Sequence, residues 1–195
     1  MRLSGPNIAS LKVLILGEVG AGKTKLTADL LRGLLEVYEA REITVIDMAP
    51  PRRGGVGGRL RSYLPEIQLR YLESREIIPP RLMGRTAEEV LAFAKANYEA
   101  LRPLVYRFLE APTKVLVIND LSIYLHAGPL DDILACIAKA ETFLANSYYG
   151  RRLEDDKGSG LSARERSAVE ALAKHMDLVI YLPAPKQQTH SSTLA

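Results

Sequence analysis

Between Leu11 and Leu31 the chain reads LKVLILGEVGAGKTKLTADLL, and this stretch narrows the choice of fold more than any other. The apolar run Leu11–Leu16 is followed at once by Gly17, Gly20, Gly22, Lys23 and Thr24, after which Leu26, Leu30 and Leu34 recur at helical spacing. An unbroken apolar run predicts a buried strand, the three-to-four repeat predicts a helix, and the glycines predict a tight loop between them. The loop satisfies G-x-x-x-x-G-K-[ST] at every fixed position, in the strand–loop–helix context that gives the pattern its meaning.

The residue types follow from what a polyphosphate requires. Glycines let consecutive backbone N–H groups curl into one concavity. The helix that follows turns its unpaired first-turn amides and the positive end of its dipole to the same place. Lys23 would add a mobile cation near the outer phosphates, and Thr24 a hydroxyl ligand for Mg²⁺. The candidate nucleotide-binding residues are therefore Gly17, Glu18, Val19, Gly20, Ala21, Gly22, Lys23, Thr24 and Lys25. The competing reading is a glycine turn before a helix with an exposed lysine.

At 195 residues the chain suits one α/β domain over 1–183, with 50–85 as a flexible Arg/Gly-rich insertion and 184–195 as a disordered tail. Its single cysteine, Cys136, has no disulfide partner in its own chain and reads as a small buried hydrophobe. No apolar run approaches bilayer length, and MRLSGPNIAS lacks the apolar centre of a signal peptide, so a cytoplasmic location is expected. A net charge of +3 is too mild to imply nucleic acid by itself.

Further along, ITVIDM (43–48) and KVLVI (114–118) read as buried strands of a parallel sheet, each ending near an aspartate, Asp47 and Asp120. The segment PPRRGGVGGRLR (50–61) holds four glycines and four arginines and is expected to be a mobile surface loop, with a short strand at 67–72. Thr86 and Glu89 have capping-box spacing, as do Ser162 and Glu165. Pro103 is expected to kink or restart its helix. TFLANSYY (142–149) reads as a strand, and LVIYL (178–182) as the last one. Strands alternating with helices predict three layers around a mostly parallel sheet, with ligands beyond the carboxyl ends of the strands. Gly17, Asp47, Asp120 and Ser147 should gather there.

Magnesium on a phosphate loop needs an acid. Asp120, ending the apolar strand, is the first candidate, and Asp47 is its rival for the metal or for orienting water. Lys23, Asp120 and Asp47 are thus the candidate catalytic set, with Thr24 and Asp120 as metal ligands. Glu73 and Glu76 are weaker candidates for a base, Asn146 and Ser147 for a γ-phosphate sensor, and Arg52, Arg53, Arg59 and Arg61 for added positive charge. His126, His175 and His190 show no metal-binding spacing.

On these residues the chain resembles the P-loop NTPase superfamily. Its element order, with VLVIND followed by helix and TFLANSYY, is similar to that of the RecA/KaiC-like ATPases over about Leu11 to Pro183. That resemblance implies ATP binding, Mg²⁺ and frequent homo-oligomers, although the glutamate that family carries after its second strand has no counterpart here. GEVGAGKTKL also resembles the opening of the GTPases of metalloenzyme maturation and protein targeting. The N-K-x-D guanine reader of those proteins is absent; VINDLS offers only Asn119-Asp120. ATP is therefore favoured over GTP, and the expected activity is Mg²⁺-dependent ATP hydrolysis. The alternatives are a GTPase of that second class, a small-molecule kinase, or a slow nucleotide-switched module whose Arg52–Arg61 segment docks an acidic protein or nucleic acid.

Overall fold

A computed structural model of the chain describes residues 4–51, 58–65 and 68–185. Its elements, in order, are β1 (Lys12–Gly17), α1 (Lys23–Leu34), β2 (Ile43–Asp47), β3 (Arg70–Glu73), α2 (Pro80–Met83), α3 (Ala87–Glu110), β4 (Val115–Asn119), α4 (Ser122–Leu125), α5 (Leu130–Lys139), β5 (Thr142–Tyr148), α6 (Leu161–Ala173) and β6 (Leu178–Leu182). The strands form one six-stranded sheet in the order β3-β2-β4-β5-β1-β6. Every neighbouring pair is parallel, so the sheet is wholly rather than mostly parallel.

The period-2 geometry of the strands sorts their apolar residues into two layers. Leu14, Leu16, Ile46, Leu116, Ile118, Phe143 and Ala145 face one core, which α3, α5 and α6 close with Leu101, Val105, Phe108, Ile133, Cys136, Val169 and Leu172. Val13, Ile15, Ile43, Val45, Val115, Val117 and Leu144 face the other, closed by Ala28, Leu30, Leu31 and Leu34 of α1. Buried on both faces, the strands read as continuous apolar runs, which is why β1, β2 and β4 were visible in the sequence.

Three expectations change. Helix α3 is not restarted at Pro103 but continues through it as one helix, its buried stripe of Leu101, Leu104, Val105 and Phe108 packed in the core on that side of the sheet. The segment after Gly58 is not a free surface loop: a 3₁₀ turn over Leu60–Tyr63 buries Leu60 completely, Leu64 follows it into the core beneath α1, and β3 joins the sheet edge. Residues 52–57, 66–67 and 186–195, on which part of the loop and tail expectations rest, lie outside the described residues. Finally, Ser162 and Glu165 make no capping box. Gly160, at φ +75°, is the N-cap of α6 without a side-chain bond, and Glu165 turns into the protein interior. At Thr86 half of the motif forms: its hydroxyl accepts from Glu89 N at 3.3 Å, while the Glu89 carboxylate takes Arg85 N.

Candidate functional site

The loop between β1 and α1 has the backbone that its glycines allow. Gly20 and Gly22 sit at φ +76° and +89°, the left-handed region in which a side chain is strained. Gly22 is the N-cap of α1 and offers no side chain to the helix amides, so these remain directed at whatever enters from outside. Lys23 folds over the loop, its Nζ donating to Gly17 O and Glu18 O, each at 2.9 Å. Burial pulls the Lys23 ammonium below its usual range, against the opposing charges of Asp120, Glu18 and Glu165.

Glu18 braces the loop from behind. Its Oε2 accepts from Arg151 N at 2.7 Å and Arg152 N at 3.0 Å, and its Oε1 from Val19 N at 2.8 Å. Burial pushes its pKa up, but these backbone donors outweigh it and the net direction is down. The carboxylate packs so closely on Gly150 that a Cβ there would lie 2.4 Å from Glu18 Oε2.

Val19, Gly20, Gly22, Lys23, Thr24 and Lys25 line a cavity of about 640 Å³. Asp120, Asn146 and Tyr148 line it from the strand ends, Ser122 and His126 from α4 and its C-cap, Arg59 from the turn before β3, and Arg81 from α2. The structure thus brings Asp120 and Thr24 to one space, as the sequence predicts. Asp120 follows the last residue of β4 at φ +59°, its N–H donating to Asn146 Oδ1 at 3.1 Å and its Oδ1 accepting from Ser122 Oγ at 3.2 Å. Burial raises the pKa of its carboxyl, with Lys23 pulling the other way and Glu165 adding to the rise. A cation would relieve that carboxyl, and a hydroxyl with a carboxylate is an all-oxygen donor set suited to Mg²⁺. No cluster of three or more His, Cys, Asp or Glu side chains among the described residues is arranged to hold a metal without a substrate.

Asp47 lies behind the cavity wall. Its side chain is fully buried and accepts from Leu60 N at 2.7 Å, Ala49 N at 3.2 Å, Asn119 Nδ2 at 2.8 Å and the Tyr71 hydroxyl. Burial still raises its pKa, because these four donors only partly replace water. The same network continues through Asn119 to Asn146, whose Nδ2 donates to Asn119 Oδ1 and to Thr27 Oγ1, each at 2.8 Å. Thr27 in turn donates to Lys23 O at 2.9 Å, so the strand ends and the first turn of α1 are joined by side-chain bonds. Of the sensor candidates, Asn146 faces the cavity, while Ser147 is buried and donates to Tyr148 O at 3.4 Å. Glu73 is engaged by Arg59, and Arg61 stacks on the Tyr71 ring at 4.2 Å. Arg52 and Arg53 lie outside the described residues.

The wall contributed by α2, and the α6 carboxylate that holds it from behind, were not legible in the sequence. Arg81 and Glu165 form a bidentate pair at 2.7 and 3.2 Å, both side chains almost wholly buried. Glu165 Oε1 also meets His126 Nε2 at 2.9 Å. The guanidinium of Arg81 lies 5.2 Å from the centre of the Tyr148 ring. Burial works against the Glu165 carboxylate, but His126 and Arg81 together hold its pKa down at about 2. The sequence signal at Glu165 was that of an exposed helix start, and nothing local distinguishes it from one.

No protein-family model and no curated protein matches the chain. Among solved structures, it is similar to the flagellar accessory protein FlaH from Methanocaldococcus jannaschii, at 12% identity and a TM-score of 0.46, over 89% of this chain and 71% of that one. It is also similar to the Pif1 helicase from Candida albicans, at 14% identity and a TM-score of 0.40, over 94% of this chain and 40% of that one. Among the described residues, no helix is long and apolar enough to cross a membrane.

Proposed function

We propose that the protein is a P-loop nucleoside triphosphatase that hydrolyses ATP with Mg²⁺. The observation that carries this reading is the convergence on one cavity of the left-handed glycine loop, Lys23, Thr24 and Asp120. In this reading the loop amides and the first turn of α1 bind the phosphates. Lys23 exchanges the carbonyls of Gly17 and Glu18 for phosphate oxygens, and Thr24 and Asp120 hold the metal, Asp120 through water. The ion, when bound, neutralises charge on the β- and γ-phosphates. Asn146 presents a polar side chain beside Asp120 on the strand between β1 and β4, which supports the RecA/KaiC-like element order.

ATP is preferred to GTP in this proposal. A guanine reader built on Asn119-Asp120 would need the Asn119 amide free, yet it is engaged by Asp47, Gly58 O and Asn146. The test is turnover of the four ribonucleoside triphosphates with Mg²⁺, comparing the wild type with Lys23→Ala. The expected result is ATP turnover that the substitution abolishes; equal activity of the two proteins would remove the proposal.

A further inference from the structure

One polar atom in the cavity region stands unexplained by the phosphate site. His126 is 2% exposed, lines the cavity and has its Nδ1 buried with no hydrogen-bond partner. Buried nitrogens without partners are uncommon and are concentrated where chemistry is done. The other ring nitrogen is engaged: Nε2 lies 2.9 Å from Glu165 Oε1 and donates its proton to that carboxylate, which leaves Nδ1 as the nitrogen available to a further partner, a lone-pair acceptor whenever the ring is neutral. Glu165 is itself held by the Arg81 fork. An ionised, immobilised carboxylate behind an imidazole whose second nitrogen has no partner is the base-and-orienter arrangement of nucleophile-activating sites.

We propose that His126 is the general base for the attacking water, oriented through Glu165 and Arg81. This rests on the nucleotidase reading above. In the step, a lone pair of the water oxygen forms a bond to the γ-phosphorus as one of its protons passes to His126 Nδ1. The bond from the γ-phosphorus to the bridging oxygen breaks, and its electron pair leaves on the β-phosphate of ADP. The imidazolium produced is stabilised by Glu165 and returns its proton to solvent after phosphate departs. Glu165 and Arg81 are positioning residues. His126 lines the same cavity as Lys23, Thr24 and Asp120. Arg164 of α6 donates to Leu125 O and Ala127 O, the residues on either side of His126.

The experiment compares wild type, His126→Gln and Lys23→Ala in MgATP titrations and in kcat measured from pH 5 to 8. Glutamine retains a donor toward Glu165 and removes the base. His126→Gln is expected to bind MgATP as the wild type does, to lose about 10²-fold or more in kcat, and to lack the acid limb that the wild-type profile shows. A kcat near the wild-type value, or the same acid limb in the variant, would overturn the assignment. Should His126→Gln not fold, the wild-type profile decides: a single-proton acid limb supports His126, and a flat profile overturns it. Failure of the wild type to bind MgATP, or full activity of Lys23→Ala, would instead overturn the nucleotidase reading and this inference with it.

Discussion

Asn119 Nδ2 donates to Asp47 Oδ1 at 2.8 Å, tying the last residue of β4 to the last residue of β2, which lies opposite it in register. The bond turns two separately plausible site residues into a support for the cavity floor. Asp47 anchors Leu60 N and so fixes the turn that carries Arg59, while Asn119 passes the constraint on to Asn146. Asn119→Ala would leave Asp47 and Asn146 each short of a buried partner. A loss of about 1–3 kcal/mol in urea unfolding is expected; unchanged stability would mean that the network is not under tension with the fold.

Asp120→Asn should separate stability from function. Burial raises the Asp120 pKa, so the native state binds its proton more tightly than the unfolded chain does, and stability falls as pH rises above the ordinary aspartate range. Asparagine removes that loss and tolerates the left-handed backbone at φ +59°. The variant should melt higher than the wild type at pH 7 without nucleotide and lose Mg²⁺-dependent turnover. A lower melting temperature would contradict the account of this carboxyl.

Gly150→Ala tests the brace behind the glycine loop. Its Cβ would meet the Glu18 carboxylate at 2.4 Å, forcing Glu18 off Arg151 N and Arg152 N. Nucleotide affinity should weaken, with a stability loss of about 1–3 kcal/mol from the orphaned backbone donors. Full affinity in this variant would show that Glu18 does not hold the loop in shape.

Acid should expose the Arg81–Glu165–His126 cluster. The folded Glu165 pKa lies near 2 against a reference of 4.5, so its contribution is in full force above about 4.5 and fades as pH falls towards 2. Glu165→Gln should lower stability at neutral pH and flatten the pH dependence across that window. Parallel curves for the two proteins in guanidinium titrations from pH 2 to 6 would assign the acid sensitivity elsewhere.

Cys136 should be inert in the native protein. Its side chain is fully buried and burial pushes its thiol up to about 12. A thiol-disulfide reagent at pH 8 should label it only at the rate of unfolding, and rapid labelling of the folded chain would contradict the packing of α5 on the sheet.

The sequence by itself determined the elements and the glycine loop. An apolar run long enough for one strand, glycines where the backbone must turn left-handed, and leucines at helical spacing are local properties, written within a few residues of where they act. The same holds for the strands ending at Asp47 and Asp120, because burial on both faces leaves continuous apolar runs. Only the tertiary structure decided which polar residues line the cavity and which are tied up by hydrogen bonds. Asp47 and Glu18 look as available as Asp120 in sequence, but Leu60, Tyr71 and Asn119 close around the first and the 150–152 backbone around the second. Glu165 carries the pattern of a helix cap and acts instead on His126, 39 residues away in the chain. Hydrogen-bond saturation and burial are set by partners distant in sequence, and no local pattern encodes them.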